Sequence, residues 1–254
     1  MRTGTKLRIT AGAVAAITSG VLLTAAAAPA EAAAPALYGG KGMLWTSSTG
    51  SQTHCTIGFN VVTVSGRTMT LSAGHCGKHS DWQFGSMSPA YSWGPTVKWK
   101  FAPSGDFQVI KDTDGFKKPG AVRYYGRALP VYGHEAAHNG MQVCWRGDRT
   151  EKTACGTVYD AGKDTRLNYG THKHPKYMTF HNTFKVNNAS HCGHHGDSGA
   201  PMYEVKLGSS HEPYAVAVGI LQGVPDTCGQ GWDAEGQPVS KILAAWHLKI
   251  KNHN

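Results

Sequence analysis

The chain carries little charge for its length: Asp, Glu, Lys and Arg make up 16 % of its 254 residues. No run of lysine or arginine is dense enough to track a phosphate backbone, so a nucleic-acid partner has no electrostatic basis. No segment after residue 28 is apolar over the length a bilayer core demands, which excludes a later membrane span. No Cys-x-x-Cys pair occurs, which removes a common zinc-binding spacing, and no metal or other cofactor is called for. A sustained 3.6-residue period is missing almost everywhere, so helices are few. No repeat of solenoid length is present either.

What is present begins with an export signal. Arg2, Lys6 and Arg8 precede an apolar run over 9–28, and Ala30-Glu31-Ala32 offers a small-x-small cleavage site. Residues 1–32 read as a signal peptide, because Thr10, Gly12, Thr18, Ser19 and Gly20 dilute the run below what an anchor needs. Removal leaves 222 of the 254 residues. Net charge then falls from +9 to +7, since three basic residues leave with Glu31. The expected location is extracellular, with no membrane attachment after cleavage.

Six cysteines in an exported chain imply three disulfides: Cys55, Cys76, Cys144, Cys155, Cys192 and Cys228. Fifteen pairings are open on sequence alone. The 32 glycines and the sparse charge point to many short strands and turns. Candidate strands are 58–64 and 68–71, which read as a hairpin, then 97–101 and 107–110. Turn signals at Thr113-Asp114-Gly115 and Pro119-Gly120 place a division between halves near 115–125. The second half offers 128–131, 141–144, 155–159, 177–184, 200–204 and 214–221. One helix is expected over 241–248, capped by Ser240, with Ile242, Leu243 and Trp246 on one face.

The chemistry centres on Cys192-Gly193-His194-His195-Gly196-Asp197-Ser198-Gly199-Ala200. A serine between glycines can hold its hydroxyl outward while neighbouring N–H groups converge on one point. The N–H groups of Gly196 and Ser198 would there receive the oxygen of a tetrahedral acyl-transfer intermediate. A serine hydroxyl needs a base, and an imidazole base needs an acceptor that fixes its tautomer. Leu71-Ser72-Ala73-Gly74-His75-Cys76 offers the base, His75, and Gly105-Asp106-Phe107 offers the acceptor, Asp106. Singly, each piece is an ordinary turn or surface residue. Their conjunction in an exported disulfide protein points to nucleophilic hydrolysis. His191, His194 and His195 crowd one loop too tightly to be a convincing metal site.

On these residues the chain resembles the trypsin/chymotrypsin-like serine endopeptidases, in their bacterial streptogrisin and α-lytic protease branch. The resemblance covers nearly all of 37–252. It rests on Leu37-Tyr38-Gly39-Gly40, Cys55-Thr56-Ile57-Gly58-Phe59-Asn60, Ala73-Gly74-His75-Cys76, Val143-Cys144 with Cys155-Gly156-Thr157-Val158, a cysteine six residues before Ser198, and Gln237-Pro238-Val239. It implies an all-β fold of two six-stranded antiparallel barrels, over 37–120 and 121–239, with a short C-terminal helix and tail over 240–254. It also implies sequential pairing of the cysteines, 55–76, 144–155 and 192–228. It makes His75, Asp106 and Ser198 a catalytic triad, with Gly196 and Ser198 as the oxyanion hole. Peptides or proteins would be the substrates and a proteinaceous inhibitor a possible partner. The expected state is a monomer. Relatives carry a large pro-region, whereas only 33–36 separate the expected signal cut from the start of the resemblance.

The departures bear on specificity. The substrate pocket is expected to involve His194, His195, Leu221, Gln222, Gly223 and Val224. Gln222 stands where relatives have a serine whose hydroxyl meets the triad aspartate. Val224 replaces a pocket glycine and should narrow the site for the side chain preceding the scissile bond, favouring small or slim apolar ones. An acid-preferring pocket is the other option. Relatives bury an arginine against the aspartate before the nucleophile. Trp145 occupies that arginine's place, which makes Arg146 the candidate partner of Asp197. A non-catalytic binding protein on the same fold, or an esterase using the same triad, would share these features.

Overall fold

The structure is a computed structural model that describes residues 36–84, 91–113, 115–171, 173–225 and 231–253. The expected signal peptide and Cys228 lie outside the described residues.

The first half contains β1 (Gly42–Thr46), β2 (Gln52–Thr56), β3 (Asn60–Thr63), β4 (Thr68–Ser72), β5 (Trp82–Phe84), β6 (Tyr91–Gly94), β7 (Thr96–Ala102) and β8 (Gly105–Ile110). Val61, Thr63, Met69 and Leu71 are β-branched or apolar, and Ser65-Gly66 turns the chain, so β3 and β4 form the expected hairpin. The strands lie in two sheets, ordered β2-β1-β5-β6 and β3-β4-β8-β7. Corner hydrogen bonds join the sheets, with Thr113 N–H donating to Trp93 O at 2.9 Å and Gly58 N–H to Leu71 O at 2.8 Å. Inside lie Leu37, Met43, Ile57, Trp82, Trp93 and Ile110, all excluded from water.

The second half contains β9 (Ala121–Tyr124), β10 (Arg127–His134), β11 (Gln142–Trp145), β12 (Ala154–Asn168), β13 (Tyr177–Asn187), β14 (Pro201–Leu207), β15 (Pro213–Gly223) and β16 (Ala234–Pro238). Six of these close on themselves in the order β14-β11-β12-β13-β16-β15, because β14 also pairs with β15. Closure leaves none of these six strands as a free sheet edge, and β10 and β9 extend the sheet from β15. Val143, Trp145, Phe184, Val186, Met202 and Val218 fill the interior. The fold is thus the expected all-β double barrel with one short C-terminal helix.

A third apolar cluster lies between the halves and includes Phe59, Leu71, Phe107, Val109, Val131, Tyr203, Ala217 and Ile220. This explains the texture of β15. Its Ala215–Leu221 stretch is buried on both faces, one side in the barrel and the other against the first half. Such a strand reads as a continuous apolar run rather than an alternation.

The helix starts earlier than expected. It is α1 (Val239–Trp246), with Pro238 at its N-cap and no side-chain cap. Ser240 therefore lies inside the first turn. Pro238 fixes the entry backbone and Val239 is fully buried, so packing sets the start rather than a hydroxyl. Leu248 is not helical. After a left-handed His247 the chain forms β17 (Leu248–Ile250), which pairs with β3 of the first half. The last segment is thus a strand of the first half, not a free tail.

Candidate active site

His75 sits in a single 3-10 turn, Gly74–Cys76, directly after β4. A β-carbon on Gly74 would stand 2.0 Å from Lys100 O on β7 and 3.0 Å from Asp106 Oδ1 on β8, so only glycine lets the turn approach these two strands this closely. Asp106, fully buried, is the second residue of β8. Its Oδ1 accepts the backbone N–H of His75 at 2.7 Å, and its Oδ2 meets the Nδ1 of the same residue at 2.7 Å. The two bonds fix both the position and the ring orientation of the imidazole. They also place a proton on Nδ1 and leave Nε2 facing the cleft as the basic nitrogen.

Ser198 enters from the opposite barrel, three residues before β14. Its loop is held by Thr56, the last residue of β2. The Thr56 N–H donates to Ser198 O at 2.8 Å, and the Thr56 hydroxyl donates to Gly196 O at 2.9 Å. Gly196 has φ +104°, a conformation that disfavours any side chain. With both carbonyls turned toward Thr56, the N–H groups of Gly196 and Ser198 make no hydrogen bond among the described residues. Two undonated N–H groups beside a serine are what an oxyanion site requires. The Ser198 hydroxyl also has no partner among the described residues. Contacts of this kind often close only when substrate arrives.

Asp197 is fully buried, and its partner is not Arg146. Its Oδ1 accepts the N–H groups of Arg149 and Thr150 at 2.9 and 3.0 Å. Its Oδ2 accepts the His194 N–H at 2.8 Å and the Thr150 hydroxyl. Four neutral donors thus replace a guanidinium. The following turn folds back over the carboxylate because Gly147 lies against it, where a β-carbon would stand 2.0 Å from Asp197 Oδ1. Nothing in the residue types near Arg146 distinguishes this cradle from an ordinary turn.

His75 and Ser198 line one cavity of about 500 Å³ with His195, Gln222, Gly223 and Val224. Tyr169, Arg166, Tyr177 and Trp232 complete its walls. Two pocket candidates lie elsewhere. Leu221 is buried in the second barrel's core, and the His194 side chain is exposed while its N–H serves Asp197. Val224 packs against the segment that leads to the nucleophile: a β-carbon on Gly193 would stand 2.4 Å from Val224 Cγ1 and 3.6 Å from Leu221 Cδ2. Among the described residues no group of histidine, cysteine or carboxylate side chains is arranged to hold a metal ion.

Two disulfides are described, Cys55–Cys76 and Cys144–Cys155, as the resemblance implies. Cys192 is also disulfide-bonded.

The two barrels, with the serine, histidine and aspartate at one cleft, have the architecture of chymotrypsin-like serine endopeptidases, and comparison with known proteins puts the chain in that class. No family model matches it. It is similar to Glutamyl endopeptidase 2 of Streptomyces griseus, 26 % identical over 205 residues that span 79 % of this chain and 95 % of that one. Among solved structures it is similar to Thermobifida fusca Protease A, with TM-score 0.63 and 26 % identity over 85 % of this chain and 99 % of that one. A glutamic acid specific serine protease that utilizes a novel histidine triad in substrate binding gives TM-score 0.63 and 27 % identity. That match covers 84 % of this chain and all of the other. The chain is a serine endopeptidase of this chymotrypsin-like kind. No helix among the described residues is long and apolar enough to cross a membrane.

Proposed function

We propose that the chain is a secreted endopeptidase that cleaves peptide bonds through Ser198, His75 and Asp106. His75 Nε2 takes the Ser198 proton as the hydroxyl attacks the scissile carbonyl, then delivers it to the leaving amine. Asp106 holds the imidazole tautomer and stabilises the imidazolium that forms. The N–H groups of Gly196 and Ser198 receive the oxyanion. Water then repeats the sequence on the acyl-enzyme. The observation that carries this reading is the paired contact of Asp106 with His75 at 2.7 Å, on the cleft that Ser198 also lines.

The packing of Val224, which lines the cavity, against Gly193 supports a preference for small or slim apolar side chains before the scissile bond. A second reading has one observation in its favour: Arg166 and His195 line the same cavity and would attract an acidic side chain. Among the described residues, His75 and His195 are the histidines that line this cavity. One experiment tests both levels. A serine-directed organophosphonate should label the enzyme stoichiometrically at Ser198, and S198A should stay unlabelled. Unlabelled wild type would overturn the triad. A peptide library should then be cut after Ala, Val or Thr, and cleavage chiefly after Glu would favour the acidic reading.

A further inference from the structure

Asp106 has a third polar neighbour that the triad does not require. Tyr169 follows the last residue of β12, and its N–H donates to Lys176 O at 2.8 Å, so the β12–β13 hairpin holds its backbone. Its side chain turns in toward the first barrel. The ring lies 5.0 Å from the His75 ring and 4.9 Å from Phe101, centroid to centroid. Its hydroxyl donates to Asp106 Oδ2 at 3.1 Å, the same oxygen that meets His75 Nδ1. The Gln222 side-chain N–H points at that hydroxyl from 3.4 Å. Burial, and then the Asp106 charge, push the phenol far above its ordinary pKa, so it remains a donor throughout the working range.

The other two donors to the Asp106 carboxylate both come from His75, so among the described residues the Tyr169 hydroxyl is the one side-chain contact on that carboxylate that is independent of the imidazole it orients. Gln222 itself makes no bond to Asp106 among the described residues. Its Oε1 is buried without a partner there, and its N–H instead faces Tyr169. We infer that Tyr169 is a positioning residue of the active site: its hydroxyl, backed by Gln222, holds Asp106 on the same oxygen that meets His75 Nδ1. Tyr169 also lines the substrate cavity, so one side chain touches both the triad and the space for the peptide. The inference rests on the triad reading above.

Two effects follow from removing the hydroxyl alone. Asp106 loses a donor, its charge is less spread, and it stabilises the His75 imidazolium more strongly. The acid limb of the kcat/KM profile, which reports free-enzyme His75, then moves to higher pH. The imidazole is also held less firmly, so kcat falls.

The test compares Tyr169→Phe with wild type over pH 4–9, after organophosphonate labelling has confirmed Ser198 in both. The phenylalanine keeps the ring and the cavity wall. The expected result is an acid limb raised by about half a pH unit, a kcat lower by about threefold to tenfold, and KM nearly unchanged. Adding Gln222→Ser should return the limb toward its wild-type position. An unmoved limb with kcat within twofold, in a variant that labels at Ser198, overturns the inference and leaves the triad intact. Absent labelling in wild type overturns the triad instead. Should Tyr169→Phe not fold, 3-fluorotyrosine at position 169 replaces it. A more acidic phenol donates more strongly and should move the limb to lower pH, and an unmoved limb again overturns the role.

Discussion

Glu235 is the residue whose burial is hardest to reconcile with its chemistry. It lies on β16 opposite Gly223 and is wholly excluded from water. Thr165 and Thr183 stand beside it, yet their hydroxyls bond to one another and to Lys163 O. Neither carboxyl oxygen has a hydrogen bond of ordinary geometry among the described residues. Burial, opposed by Lys185 and reinforced by the Asp106 charge, pushes the carboxyl up from 4.5 to about 8. The folded protein therefore keeps a proton that the unfolded chain gives up. Linkage then makes stability greatest below about pH 4.5, with a decline as pH climbs that is complete above about pH 8. Glu235→Gln removes the ionisation from both states. Its melting temperature relative to wild type should rise between pH 4.5 and 8.5, with a total effect of a few kcal/mol by differential scanning calorimetry. A pH-independent difference would show that the carboxyl ionises within the fold.

Among the elements, the Cys55–Cys76 bridge does more than close a loop of sequence separation 21. Cys55 precedes Thr56, which holds the nucleophile loop, and Cys76 follows His75. The bridge thus ties the base to the strand that positions the serine. Replacing both cysteines with alanine should lower stability by about 3 kcal/mol in denaturant unfolding. It should also reduce kcat more than the equivalent change at Cys144 and Cys155, whose hairpin lies in the second barrel. The cysteine count left fifteen pairings open, and the family resemblance implied this one. Other parts were legible for local reasons: the β3–β4 hairpin from its alternation and Ser65-Gly66, and Asp106 from its place at the head of an apolar strand. What stayed hidden is non-local. Tyr169 meets Asp106 across 63 residues, and Thr56 meets Gly196 across 140. No spacing rule links such pairs, because the packing of the two halves against each other brings them together. Arg146 was the candidate because the resemblance implied an arginine one position earlier, and backbone N–H groups with the Thr150 hydroxyl hold Asp197 instead.

At the scale of the molecule, the two barrels are fastened by the end of the chain. β17 pairs with β3, Lys251 N–H donates to Asn60 O at 2.9 Å, and His253 N–H donates to Val131 O at 3.0 Å. Leu248 and Ile250 join the apolar cluster between the halves. Deleting 247–254 should cost about 4 kcal/mol from those two side chains alone and lower the unfolding midpoint. Unfolding of the intact protein should be a single calorimetric transition, because the central cluster draws on both barrels, and two resolved transitions would contradict that. Under the proposed narrowing by Val224, which shares its cavity with Ser198, the side chain before the scissile bond yields little affinity, so the energy that holds a polypeptide in register must come from its other positions. Extended chains should therefore be turned over far faster than short chromogenic amides, and folded proteins should be nicked only where a flexible stretch can lie along the full length of the groove.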